Sequence, residues 1–224
     1  MGVKSEPNAH EIALYQRALK YIKKITWVPG LRMIAVVNSL SMNATHEGSD
    51  IDLFIITSKN RMWLSRVLIT FTFWIHWVWR HHEDIAGNFC LSFWVEESAL
   101  SLSKIALEND IYLTFWAYYM KPILADDQIW EEFSRSNPEY QFADDYDVYL
   151  KYRKKYQNSS NVFWFFQSSI DQILRFFGER KSLYTFHKKG SPEWVIIAAD
   201  MLKFHDKDQR ETIRERILSN SQAS

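Results

Sequence analysis

The chain has 224 residues and is short of cysteine, of net charge and of long apolar runs. Each shortage excludes something. A single cysteine, Cys90, rules out an intrachain disulfide and any zinc site built from several cysteines; it fits a reducing, cytoplasmic setting. Lysine plus arginine equals aspartate plus glutamate at 27 each, so the formal net charge is zero. The basic excess of a protein that lives on nucleic acid is missing. The polar opening, MGVKSEPNAHEIAL, has no apolar core of a signal peptide, and Glu6 stands where myristoylation wants Ser or Thr. The most apolar stretch, Val67 to Trp79, has thirteen residues, contains His76 and is bracketed by Arg66 and Arg80. A bilayer span needs about 20 residues, so this stretch reads as a buried helix. There is no internal repeat, low-complexity tract, Gly-rich P-loop, nucleophile elbow or zinc spacing.

What is abundant is aromatic: 10 Trp, 15 Phe and 11 Tyr. Most of these rings are expected in a core. The Trp-rich segment Met62 to Trp79 and the Phe-rich segment Val162 to Phe177 can instead form an aromatic surface for a homodimer or a membrane face. Apolar spacing predicts a first helix over Ala9 to Lys24, ended by the WVPG break at Trp27 to Gly30. Met33 to Val37 is a short continuous apolar run, as in a strand buried on both faces. Ile51 to Thr57 is the next strand, a long helix follows from Arg61 to about Arg80, and Phe89 to Val95 is a third strand. Beyond residue 105 the pattern turns helical. Helices are expected over Asn109 to Met120, Asp126 to Ser136, Asp144 to Tyr156 and Val162 to Phe177, the last closed by Gly178. A further helix is expected to start at Ser191-Pro192-Glu193 and run to about Met201 to Phe204, before a charged final helix. The reading is an α+β protein: a small mixed sheet with flanking helices in residues 1–105, then a helical domain in 106–224.

The segment that carries chemistry is IAVVNSLSMNATHEGSDIDLFIIT, Ile34 to Thr57. Alternate residues of a strand share a face, so Asp50 and Asp52 project together with Cα atoms about 7 Å apart. Two carboxylates that close repel unless a cation lies between them, and a hard cation such as Mg2+ (or Mn2+) suits oxygen ligands shared with phosphates. Upstream, a strand ends in Asn38-Ser39, eleven residues before Asp50.

This arrangement resembles the signature of the polymerase-beta-like nucleotidyltransferase superfamily. There, a strand ends in Gly-Ser, and the next strand opens with Ser-Asp-x-Asp followed by apolar residues. The match is Asn38-Ser39, then Ser49-Asp50-Ile51-Asp52-Leu53-Phe54, and the resemblance spans about residues 10 to 98. It implies a nucleotidyltransferase-type fold and transfer of a nucleoside monophosphate from a nucleoside triphosphate to a hydroxyl, with release of pyrophosphate. It implies metal-binding and catalytic roles for Asp50 and Asp52, and triphosphate binding at Asn38, Ser39 and Ser49. The acceptor is open: a small molecule, a protein side chain or an RNA end. Lys59, Arg61 and Arg66 follow the second strand and can add positive charge.

Two departures stand out. Asn38 replaces the usual Gly, and Asn is the side-chain-bearing residue that best tolerates a left-handed backbone. The third strand has no acid where the superfamily commonly carries a third carboxylate. The favoured register puts Cys90 there, with Glu96 or Glu97 able to supply the acid only by bending back. Loss of that acid suggests an alternative: a nucleotide-binding module with weak or no transferase activity, acting as a sensor or interaction subunit. The clusters His81-His82-Glu83-Asp84, His187-Lys188-Lys189 and His205-Asp206-Lys207-Asp208 read as solvated polar segments first and as ligands second.

Overall fold

The computed structural model describes residues 3–80, 85–143, 146–154, 162–188, 190, 195–204 and 210–214. Helix α1, Ala9–Ile22, begins with a capping box: Asn8 accepts the Glu11 amide at 2.9 Å and Glu11 accepts the Asn8 amide at 2.8 Å. The buried Glu11 carboxylate also takes the Thr45 amide and hydroxyl, which ties the loop after Asn43 to the helix. Strand β1, Leu31–Val36, leads to a single helical turn α2, Asn38–Ser41. Strand β2, Ile51–Thr57, runs antiparallel to β1. Helix α3, Met62–Ile75, is the crossover to β3, Phe89–Glu96, which lies parallel to β2.

These strands are apolar without alternation because both faces are covered. On one face Leu53, Ile55, Leu91 and Trp94 pack with Leu14 and Ala18 of α1 and with Ile69 and Phe73 of α3. On the other, Phe54, Ile56, Phe93 and Val95 pack with helix α4, Ile111–Tyr118, and helix α5, Ile129–Arg135. Asp110 caps α4 by accepting the Leu113 amide, and Asp126 accepts the Gln128 and Ile129 amides ahead of α5.

The protein is mixed α+β, and its sheet extends beyond the first hundred residues. Strand β4, Lys121–Asp126, pairs antiparallel with β1, and the short β5, Tyr152–Lys154, lies parallel to β4. Strands β6, Ile196–Ile197, and β7, Met201–Lys203, form a hairpin whose β7 pairs with β3. The order is β5-β4-β1-β2-β3-β7-β6.

Several helical expectations for the second half therefore give way. The helix expected over Asn109 to Met120 is α4, which ends at Tyr118, and Pro122 beyond it sits in β4. It pairs with Ala35 at a register shift and precedes the residues bonded to β5, so its missing N–H breaks no continuous ladder. Of the stretch expected as a helix over Asp144 to Tyr156, the described residues form one turn of helix, α6 (Tyr146–Tyr149), followed by β5. The helix expected through Met201 to Phe204 is the β6–β7 hairpin, because Ile196 and Ile197 favour strand and the open edge of β3 supplies the ladder. Its expected start at Ser191-Pro192-Glu193 lies outside the described residues, as do His81-His82-Glu83-Asp84, Lys189 and His205-Asp206-Lys207-Asp208.

Helix α7, Val162–Lys188, packs on α3 and runs straight through Gly178. That glycine is no terminator: a Cβ there would overlap the indole of Trp63. Asp171 of α7 accepts the Leu64 amide at 2.7 Å, capping the first turn of α3. No helix among the described residues is long and apolar enough to cross a membrane.

Candidate metal and phosphate site

The candidate site forms where β1 ends and β2 and β3 begin. Asn38 leaves β1 with φ of 58°, the left-handed conformation its residue type tolerates. The Val37 amide donates to the Asp52 carbonyl at 3.1 Å, and this bond holds the turn against the mouth of β2. Asp50 immediately precedes β2 and Asp52 is its second residue. The parallel register sets Asp52 beside Cys90. Two steps of β2, from Asp52 to Phe54, then match three of β3, from Cys90 to Phe93; this bulge re-aims the β3 side chains beside the acids. The result is a cluster in which one ligand atom each from Asp50, Asp52 and Cys90 lies within 4.8 Å of the others.

Burial and then the charge of Asp50 push the Asp52 carboxyl up to about 6, against hydrogen bonds from Asn38 and Cys90 and the charge of Arg80. Burial and the two carboxylates push the Cys90 thiol well above its usual range, against its hydrogen bond with the Ser92 hydroxyl at 3.2 Å and the charge of Arg80. Both displacements have one origin: negative charge concentrated in a partly desolvated pocket. A divalent cation would relieve both, and the donor set fits one. Two carboxylates suit Mg2+ or Mn2+, and a neighbouring sulfur favours the softer of the two.

Two groups complete the site that the sequence did not single out. Arg80, just past the Trp79–Phe89 bridge, donates from Nη1 to Asp50 Oδ2 at 2.7 Å and to Cys90 Sγ at 3.5 Å. Tyr112 on α4 donates to Asn38 Oδ1 at 3.1 Å. The Asn38 carboxamide thus links Tyr112 to Asp52, with its oxygen on the phenol and its hydrogen bond on the acid. The only sequence signal for Arg80 was its place at the end of an apolar segment. Tyr112 had none, being 74 positions from its partner.

Ser39 follows Asn38 in α2, half-buried, and its carbonyl accepts the Ala44 amide at 2.9 Å. Ser49 is buried, and its hydroxyl accepts the His46 amide at 2.9 Å, so it shapes the turn into Asp50.

Other expected contributors lie elsewhere. Thr57 pairs with Glu96 at the opposite end of β2 and β3, about 16 Å along the strand from Asp52. Glu96 there accepts the Asn60 amide, and Glu97 pairs with Arg32. Neither bends back, because Glu96 is the last residue of β3, at the end opposite Cys90, and Glu97 follows it. Lys59 and Arg61 follow Thr57 at that same far end, and Arg61 is buried against Gln167 and Ser168 of α7. Arg66 donates to the Leu91 carbonyl at 2.9 Å and lies over the rings of Trp94 and Phe204, holding α3 to the sheet. His187 and Lys188 end α7.

No protein-family model matches the chain, and neither a curated protein nor a solved structure matches it.

Proposed function

We propose that the protein is a divalent-metal-dependent nucleotidyltransferase. The observation that carries this reading is the convergence of Asp50, Asp52 and Cys90 at the mouths of two parallel strands, facing the left-handed turn at Asn38. Asp50 and Asp52 would hold Mg2+ or Mn2+ together with the phosphates of a nucleoside triphosphate. The metal supplies charge neutralisation at the phosphoryl group being transferred. Amides of the Asn38-Ser39 turn would receive the terminal phosphates, and Tyr112 would keep Asn38 oriented toward Asp52. Arg80 is near enough to exchange Asp50 for a phosphate oxygen. An acceptor hydroxyl attacks the α-phosphorus, the bond to the bridging oxygen breaks, pyrophosphate leaves, and the hydroxyl proton passes to solvent.

Cys90 favours a second reading. A thiol in the third acid's place leaves the cluster without a third carboxylate to deprotonate the acceptor, so the site would bind the metal–nucleotide complex and transfer slowly or not at all. Calorimetry with each nucleoside triphosphate and Mg2+ or Mn2+, together with pyrophosphate release, separates the two. Transferase activity predicts binding and release in the wild type and neither in Asp50→Ala/Asp52→Ala. Binding without release supports the second reading, and equal binding by both proteins rejects both.

A further inference from the structure

Helix α7 carries two seams one residue out of step, and only the second is apolar. The first, containing Gln167, Asp171, Leu174 and Gly178, faces α3 and the core. The second faces solvent. Phe166, Ile170, Ile173, Phe177 and Tyr184 are between 46 and 65 % exposed. Their spacing is 4, 3, 4 and 7, and Arg180 fills the remaining heptad slot. A 3.5-residue apolar repeat is the pattern that seats one helix against another.

We propose that this seam is a homodimer interface, in which α7 packs antiparallel against α7 of a second copy about a twofold axis level with Arg175. Three features of the helix select a second copy as the occupant. The seam is self-complementary, as an isologous contact requires. About the axis Phe166 meets the partner's Tyr184, Ile170 meets the partner's Arg180, and Ile173 meets the partner's Phe177. Charge selects the antiparallel arrangement, because a parallel pair would set Arg180 against the partner's Arg180. Here the Arg180 guanidinium lies over Phe176, its carbon 3.4 Å from the ring centroid, and Nη1 donates to the Phe176 carbonyl at 3.1 Å, which holds the charge beside its own helix. Area suffices as well: with the flanking Phe176 and Leu183, the half-exposed side chains offer about 750 Å2 per copy, close to one side of a standard stable interface.

Sedimentation velocity on the full chain at tens of micromolar tests the proposal. The expected mass is twice 26.8 kDa. Ile173→Glu alone and Phe177→Lys alone should each run as monomers with unchanged circular dichroism, the dissociation constant rising at least about a hundredfold. Mixed, the two variants should recover a dimer, because each Glu then faces a Lys across the antiparallel seam. A monomeric wild type would overturn the proposal, whether it stays free or binds phosphatidylcholine vesicles. So would a dimer that survives Ile173→Glu but is dissociated by Val67→Asp on α3.

Discussion

Cys90 stands directly across the parallel β2–β3 ladder from Asp52, and Arg80 touches both the cysteine sulfur and Asp50. The three-residue cluster is therefore held by one ladder register and one guanidinium. That arrangement makes the cysteine the natural place to alter the chemistry.

Replacing it with the missing acid is the most direct experiment. Cys90→Asp should raise the rate of pyrophosphate release with Mg2+ by about a hundredfold or more, the scale of an added general base. Without metal the third carboxylate has no cation to offset it, so the melting temperature should fall and recover on adding Mg2+ or Mn2+. A variant whose stability ignores divalent ions would argue against a metal at this site. Thermal melts with and without metal read this out.

Arg80 competes with a cation for Asp50 and can also hold a phosphate, so its removal should act in opposite directions on two ligands. Arg80→Ala is expected to tighten Mn2+ alone while weakening the nucleoside triphosphate about tenfold, or about 1.4 kcal/mol. The pair is partly exposed, at 42 % for Arg80 and 16 % for Asp50, so folding stability should change by less than about 1 kcal/mol. Titration calorimetry against each ligand checks the split.

Gly178 offers a test with an unusual sign. In an exposed helix interior, Gly→Ala stabilises by about 0.8–1 kcal/mol. Here the added methyl meets the Trp63 ring, so Gly178→Ala should destabilise by about 1–3 kcal/mol, as overpacking does. Urea unfolding of both proteins decides the sign.

Burial, followed by the charges of Asp171 and Asp200, raises the Glu96 carboxyl from 4.5 to about 7, against the Asn60 amide and the charge of Arg175. The native state then keeps a proton that the unfolded chain releases. Stability should fall as pH rises from about 4.5 to about 7 and level off above that. Glu96→Gln keeps an acceptor for the Asn60 amide and removes this slope, with a gain on the order of 1–2 kcal/mol near pH 8 after solvent screening. Unfolding free energies across that range test it.

Much of the site end of the protein was legible in the residues themselves. Met33 to Val37, Ile51 to Thr57 and Phe89 to Val95 are runs whose apolar continuity states their burial on both faces. The two-residue period puts Asp50 and Asp52 together, and Asn38 supplies a residue type that accepts the left-handed turn. These features depend on neighbours within a few positions. The tertiary structure decided what depends on distant partners. The Ile196-Ile197 pair reads locally as part of a helix, yet it became strand because it pairs with β7, which the open edge of β3 holds. Arg80 and Tyr112 joined the site only when folding closed loops of 30 and 74 residues. Gly178, a plausible helix end by composition, became a helix interior because an indole needed the space a side chain would fill. Local conformational preference wrote the strands and the acid pair, while backbone hydrogen bonding across the sheet and close packing between α3 and α7 selected the rest.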